Sequence, residues 1–338
     1  MLEYCDSFNT YSNGQLVRRY PSAADNTSTN TPGLGVGISS RPGGSGTCLV
    51  VHPWPSQGTW TVPLSPRNTY IAGMEFNVTV PGAAISFVTS AGAIGYIGFG
   101  SSGQIITPWG NSANGLYTFD TWAHIQILMT ASPSAGAVVV QINNVTVFAA
   151  QNINTGSNPI ISFQACGGYF ITSHSTIYLA NFFIFNTLGT HSNALPLGPV
   201  SIQIQTPVSD GTNHDWFQSS GIDHFSMVDE MPADDDTTYI YAQTPGLTDT
   251  LSISGITLPT TNRIHGTQVT AMYRKDDVDN KVVHVVGLSG SNLVESPDYT
   301  LNTTYQTGSL ALPEDPATTA QWTPTGISNL QVGVKVIT

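Results

Sequence analysis

Short runs of β-branched and aromatic residues recur along this chain roughly every ten positions, each closed off by Pro, Gly, Ser or Asn, and helical periodicity is almost absent. Such spacing leaves room for little but stacked sheets. The runs fall at residues 47–51, 59–62, 70–80, 84–89 and 94–99, then at 124–130, 137–142, 145–150, 160–164 and 176–185. About ten strands in succession, with turn residues between them, predict an all-β sandwich. One hairpin can be argued residue by residue. Val138, Val140 and Ile142 precede Asn143-Asn144, and Val145 and Val147 follow. A two-residue turn sets Ile142 opposite Val145 and Val140 opposite Val147 with these side chains inward, and puts Gln141 and Thr146 on the other face. That turn demands positive φ at both central residues, which Asn tolerates better than other residues bearing a Cβ.

Residues 187–199 hold Gly189, Pro196, Gly198 and Pro199 among few large apolar side chains, and they mark a boundary between domains 1–194 and 195–338. Beyond it, a second series of runs at 201–205, 238–242, 250–254, 268–273, 281–286 and 299–305 predicts a smaller β-sandwich domain. Asp276, Asp277 and Asp279 read as a hairpin turn, and alternating Val332, Val334 and Val336 as a last strand after a short helical turn. With 338 residues, two cores can form without metal or disulfide staples. No repeat of about 20 to 50 residues is present, which disfavours solenoids and propellers. Nor is there a heptad or Gly-x-y register of the kind that builds a fibre shaft.

Charge is scarce. Only 9% of residues are charged, and nine Lys and Arg face 21 Asp and Glu. Polyphosphate binding needs clustered cations, whereas here the basic residues are single apart from Arg18-Arg19, so nucleic acid is not an expected partner. No run approaches the roughly 18 apolar residues of a membrane span. The opening Met1-Leu2-Glu3-Tyr4-Cys5-Asp6 is not of the secretory type. Cys5, Cys48 and Cys166 are odd in number and far apart, which fits buried thiols in a protein assembled in a reducing cytoplasm better than a disulfide framework, with one disulfide plus one free thiol as the alternative.

Several strings then point to a family. Asp6-Ser7-Phe8-Asn9-Thr10-Tyr11 resembles the opening of a concanavalin A/laminin G-like jelly roll. Thr121-Trp122-Ala123-His124-Ile125-Gln126 and Ser134-Ala135-Gly136 before the hairpin are similar to later strands of that fold. Leu197-Gly198-Pro199-Val200, Asp210-Gly211, Trp216, Ser220-Gly221 and the stretch 228–240 follow. Arg274-Lys275-Asp276-Asp277, Pro316-Ala317-Thr318 and the stretch 322–336 complete the set. Each string alone is unspecific; their common order along nearly the whole chain resembles a family of tailed-bacteriophage virion structural proteins with an N-terminal jelly roll and a C-terminal β module. Two departures stand out. The family's hairpin has Asn-Gly where this chain has Asn143-Asn144, and the paired acids of its last jelly-roll strand are missing from residues 179–185. The resemblance implies a non-enzymatic protein on the virion exterior, assembled in the bacterial host cytoplasm and serving as head decoration, cement or a head or tail fibre component. Its implied partners are major capsid or tail proteins and further copies of itself. Few edge lysines protect its strands, so a cyclic homo-oligomer is expected, a trimer before a dimer.

Three kinds of chemistry can be weighed against this. Asp234-Asp235-Asp236 invites calcium, with Asp234 and Asp236 as candidate ligands because alternate side chains on an extended segment share a face. The triplet lacks Asp-x-Asp-x-Asp-Gly spacing, so turn hydrogen bonds are the expected role and no cofactor is required. Retaining glycoside hydrolysis needs two carboxyls about 5 Å apart. No Glu-x-Asp-x-x-Glu occurs; Glu75 stands among apolar strand residues and Glu230 beside Asp229 in a loop. The eight histidines, His174 among them, form no i, i+3 or i, i+4 pair, and no Gly-x-Ser-x-Gly elbow is present. Among the aromatic residues Trp54, Trp60, Trp109, Tyr117 and Trp122, Trp60 and Trp122 are expected in the core. Trp109, in a loop with Asn111, is the expected ligand contact for a lectin-like adhesin recognising host surface polysaccharide, the alternative function. A polysaccharide-degrading enzyme ranks behind both.

Overall fold

A computed structural model describes residues 1–10, 15, 16, 19, 36–52, 59–167, 175–259 and 261–338. Tyr11, Arg18, Trp54 and His174 lie outside these residues. By contact the chain divides into a first unit, Glu3–Ile202, and a second, Gln203–Thr338 with Met1–Leu2.

In the first unit β1 (Leu2–Asp6), β2 (Val36–Ser40), β3 (Thr47–Val51), β4 (Thr59–Arg67) and β5 (Thr69–Val78) come first. Next are β6 (Ala84–Thr89), β7 (Gly92–Ala93), β8 (Ile97–Phe99), β9 (Ile105–Thr107) and β10 (Gly110–Asn111). Last are β11 (Ala123–Thr130), β12 (Gly136–Ile142), β13 (Val145–Ile153), β14 (Ile160–Cys166) and β15 (Ile177–Asn186). One antiparallel sheet runs β13-β12-β11-β5-β15-β3-β2 with β1 on β15, and the other β10-β9-β8-β6-β14-β4 with β7 on β6. Consecutive strands change sheets at β3–β4, β4–β5, β5–β6, β10–β11, β13–β14 and β14–β15, the connectivity of a jelly-roll sandwich. Rings from both sheets interlock between them. Trp60 of β4 meets Phe182 of β15 edge-on at 4.8 Å, and Phe76 of β5 meets Phe99 of β8 at 4.8 Å. Trp60 is fully buried, as its sequence context predicts. Trp122 is not in this core: it lies half-buried just before β11, its indole N–H bonded to the Pro42 carbonyl at 2.8 Å.

The Asn143-Asn144 turn has φ of 49° and 67°, and Ile142 faces Val145 as expected. Gln141 faces Thr146 and donates to its hydroxyl at 3.1 Å. A bulge between Val140 and Gln141 then moves Val140 opposite Phe148 instead of Val147, and Val145 is exposed. The fully buried valines are on β12; on β13, the edge strand of its sheet, Val147 is only partly buried against the core. Residues 195–202 stay with the first unit, past the break expected at 194. Gln126 of β11 donates to the Gly198 carbonyl at 2.6 Å and accepts from Leu197 N, and Asn181 of β15 accepts from Ile202 N. All three cysteines are thiols; Cys48 is fully buried, and Cys5 and Cys166 are half-buried. Burial raises the Cys48 thiol to about 11, against the opposing charge of Arg41.

The second unit begins with β16 (Pro207–His214), β17 (Phe217–Gln218), β18 (Ile240–Tyr241), β19 (Thr248–Ile253) and β20 (Thr267–Tyr273). It continues with β21 (Val282–Ser289), β22 (Asn292–Glu295), β23 (Tyr299–Thr300), β24 (Gln306–Leu312), the short helix α1 (Pro324–Ser328) and β25 (Leu330–Val336). A sheet of order β16-β19-β25-β21-β22, with β23 on β21, packs against the β20–β24 pair. Val283, Val285, Leu310, Leu312 and Trp322 are buried between them. Three expectations change. Residues 201–205 form no strand, the strand sought at 299–305 shortens to β23 with a loop before β24, and residues 274–281 join strands of different sheets instead of closing a hairpin. The polar strand β16 is additional; it sits at a sheet edge, where no apolar alternation is needed.

Asn144→Gly is expected to be neutral or stabilising in urea unfolding, because glycine reaches positive φ without steric cost. Asn144→Val should cost about 1–2 kcal/mol. Equal stability of the Val variant would exclude the two-residue turn.

Candidate functional site

Trp109 and Asn111 share one hairpin of the first unit. Pro108 and Trp109 form the turn between β9 and β10, where Trp109 N donates to Thr107 Oγ1 at 3.2 Å and Thr107 donates on to the Gly110 carbonyl. The indole covers Gly95, where a Cβ would come within 2.6 Å of the ring. It is therefore half-buried and fixed from beneath, while Asn111 is exposed on β10 opposite Ile106. The hairpin presents a braced aromatic and an amide side by side on an edge strand.

Glu75 does not stand alone. Its Oε2 takes Arg41 Nη1 at 2.8 Å and Asn181 Nδ2 at 2.8 Å, and the Arg41 guanidinium lies 4.3 Å over the Trp122 ring. His124 of β11 is directly opposite Glu75 in the sheet register. Burial lowers the His124 pKa although Glu75 pulls the other way. This group lies on the outer face of the β5–β11–β15 sheet, and Glu75 serves there as an ion-pair acceptor.

The acidic triplet of the second unit diverges. Asp234 accepts from Thr238 N at 3.3 Å and from Thr238 Oγ1 at 2.9 Å, and Glu230 Oε1 reaches the same hydroxyl at 2.9 Å. Asp236 instead takes Arg274 Nη2 at 2.7 Å, Arg274 Nε at 3.1 Å and Tyr305 OH at 2.7 Å. Asp235 between them has φ of 61°, which turns the chain and separates its neighbours. Asp234 and Asp236 thus face different partners. Among the described residues no group of three or more His, Cys, Asp or Glu is placed to hold a metal ion.

Two histidine clusters have no sequence motif. His224 Nδ1 lies 2.7 Å from Oδ2 of Asp249, which is fully buried on β19 and also accepts from Trp216 N. Burial raises the Asp249 pKa against the hydrogen bond from His224. This resembles the orienting half of a triad; among the described residues no serine, threonine or cysteine is hydrogen-bonded to the other ring nitrogen. On the β21–β22–β25 surface, His284 bridges Glu295 Oε2 at 2.6 Å and Asp298 Oδ1 at 2.7 Å, and Lys335 closes on Glu295 Oε1 at 2.6 Å.

The surface that best fits a functional role surrounds β17 and β18. Phe217 is paired with Tyr241 across the two strands with rings 5.5 Å apart, and Tyr239 lies 6.1 Å from Tyr241. Their exposures are 51%, 38% and 41%. Ile222, whose carbonyl accepts from Gln218 Nε2, is 83% exposed. Ser219 ties the ribbon to Tyr239 through Ser219 N to the Tyr239 carbonyl and Tyr239 N to Ser219 Oγ. Exposed apolar groups gathered this closely are uncommon on a solvated surface. The run at 238–242 was legible as a strand, but its pairing with Phe217–Gln218, which gathers these rings at one surface, was not.

No protein-family model matches the sequence, and no curated protein matches it either. Among solved structures, an endo-β-1,4-glucuronan lyase from the fungus Trichoderma reesei is similar at TM-score 0.35 and 12% identity, over 46% of this chain and 87% of that one. The lectin UEA-II complexed with galactose gives 0.30 and 8%, over 44% and 90%. The binding domain of botulinum neurotoxin DC in complex with rat synaptotagmin II gives 0.33 and 9%, over 90% and 92%. Likeness this low carries no argument; the sandwich reading rests on the sheets themselves. Among the described residues no helix is long and apolar enough to cross a membrane.

The His284 network predicts a pH effect. Partial burial works against its charge, but hydrogen bonds to Asp298 and Glu295 outweigh it, so its pKa is raised. A raised folded pKa contributes stability that is complete below the unfolded value of about 6.5 and is lost as pH climbs through the folded value. The stability difference between wild type and His284→Gln is therefore expected to be largest in mild acid and to shrink on going alkaline. A difference that stays constant with pH would show that no imidazolium forms here.

Proposed function

We propose that this chain is a non-enzymatic structural protein on the exterior of a tailed-bacteriophage particle, a head decoration, cement or fibre component that acts by docking its β modules. The exposed Phe217, Tyr239 and Tyr241 on the β17–β18 ribbon carry the docking part of this reading. The collinear sequence strings support the particle. The ribbon's occupant is a second copy of the chain. Among the described strands β17 and β18 pair only with each other, so both outer edges are open, and a lone two-stranded ribbon is marginal in water. No Lys or Arg lies on either strand to discourage edge pairing. Tyrosine and phenylalanine are the residues that permanent interfaces favour. Repetition of the contact around an axis gives a cyclic assembly, with a trimer as the expected order.

The Trp109–Asn111 hairpin favours a second reading, a lectin-like adhesin for host surface polysaccharide, because a braced indole complements the apolar face of a sugar ring. Catalysis ranks last, since Glu75, Glu230, Asp234 and Asp236 are engaged in hydrogen bonds or ion pairs.

Light scattering on the full chain at micromolar concentration is expected to find an oligomer that persists at about 1 M salt, because its contact is apolar. Phe217→Ser with Tyr241→Ser should shift it to monomer without changing the urea midpoint. A wild-type monomer at both salt concentrations would rule out self-association through the ribbon. Labelled imaging of intact virions tests the location. A glycan array with wild type and Trp109→Ala decides the adhesin reading, and a reducing-end assay on host polysaccharide tests for turnover.

A further inference from the structure

The second unit contains a cavity of about 420 Å³ between the β21–β22 turn, the loop after β24 and helix α1. Its size lies within the range of small-molecule sites. At its floor is Asp315, only 6% exposed. One carboxylate oxygen, Oδ1, accepts from Ser289 Oγ at 2.6 Å and from Ala317 N at 3.0 Å. The other, Oδ2, accepts among the described residues only from Thr318 Oγ1 at 3.3 Å. A carboxylate offers about four lone-pair positions, so Oδ2 keeps one for a further donor. Gly326 stands beside it: a Cβ there would come within 3.0 Å of Oδ2. The walls add the hydroxyls of Thr323 and Thr325, the amide of Asn329 and the apolar side of Leu288. Among the described residues neither the Thr325 hydroxyl nor the Asn329 amide has a side-chain hydrogen bond within the protein.

These walls discriminate between ligand classes. No Lys, Arg or His lines the cavity, and Asp315 repels anions, so phosphate and carboxylate ligands are disfavoured. A hard cation takes six or more oxygens, commonly from several carboxylates, and this cavity supplies one carboxylate already holding three donors. A purely apolar guest would strand hydroxyls and an amide. We propose that the cavity binds a neutral polyhydroxylated ligand, a sugar residue or short oligosaccharide, with one ligand hydroxyl donating to Asp315 Oδ2. That hydrogen bond is charge-assisted and sets the orientation. Thr325 and Asn329 exchange hydrogen bonds with neighbouring hydroxyls, and Leu288 meets a C–H face. This site is separate from the Trp109 hairpin and does not depend on the particle reading.

Saturation-transfer difference NMR on the full chain tests it with glucose, galactose, N-acetylglucosamine and maltose, using glucose 6-phosphate and glucuronate as charged counterparts. At least one neutral sugar is expected to bind, and the charged sugars at least tenfold more weakly. Asp315→Asn should abolish the signal. Because that variant touches the Ser289 and Ala317 contacts, Thr325→Val and Asn329→Ala accompany it; both alter exposed side chains, should keep the urea midpoint, and should each weaken binding several-fold. Absence of signal from all four neutral sugars, equal binding of glucose 6-phosphate, or full binding by both surface variants would overturn the proposal. Trp109→Ala and the ribbon variants are expected to leave the signal intact, which keeps this result distinct from the adhesin and docking readings.

Discussion

Trp60 is fully enclosed, with Phe8 at 5.5 Å, Phe182 at 4.8 Å and Phe163 at 6.3 Å, all edge-on to it. This cluster ties both sheets of the first unit and the segment after β1 to one point. Aromatic pairs of this geometry add about 0.5–1.5 kcal/mol each beyond area burial. Where the sheets are held at this spacing, other features follow. The bulge between Ala180 and Phe183 turns Phe182 inward and Phe183 outward. Phe183 then lies directly over Gly73, where a Cβ would be 2.1 Å from the ring. The same bulge presents Asn181 to Glu75 and to the segment that leaves for the second unit.

A chain this poor in cations cannot neutralise its acids by ion pairs alone, and its carboxylates are used instead as acceptors for backbone N–H groups. Asp6 takes Phe8 N at 2.8 Å, Asp210 takes Phe225 N at 2.8 Å, and Asp215 takes Thr248 N at 3.2 Å. Asp249 and Asp315 do the same from buried positions. Each bond of this kind satisfies an amide that a loop would otherwise leave to water. Acids adjacent in the sequence are thereby bound to different partners. Asp234 and Asp236 serve different parts of the loop, and Arg274, one of nine cations, is held by one of them.

Function on such a scaffold has to come from what the bonding network leaves over. Among the described residues three such features stand out: a braced indole on the β9–β10 hairpin, an exposed aromatic ribbon at β17–β18, and a polar cavity with one spare carboxylate lone pair. They suit different tasks. Tilted rings on an open-edged ribbon fit another protein surface, whereas a hydroxyl-lined hollow fits a small polar solute.

The longer strands of the first unit were legible because each buries one face locally, whereas β1, β2 and the short β7, β9 and β10 were not. Residues 47–51 and 84–89 match β3 and β6 end to end, and the Asn143-Asn144 turn followed from the φ that asparagine tolerates. Trp109 was likewise legible as a turn residue, whereas Asn111, expected in a loop, lies on β10. The bulge opposite Val147 was not, since pairing register depends on the partner strand. Edge strand β16 escaped detection because its stability comes from its ladder to β19 and not from its own polar residues. Arg41 with Glu75, His224 with Asp249 and Asp236 with Arg274 are joined across 34, 25 and 38 positions respectively, and no local pattern encodes such pairs. The sequence by itself therefore determined the all-β class, most strands and the two-part division, because these depend on burial and φ preferences within a few residues. Only the tertiary structure decided which acids are satisfied, which aromatic rings stay exposed and where a cavity opens, because each of those depends on side chains that meet only after the sheets have packed.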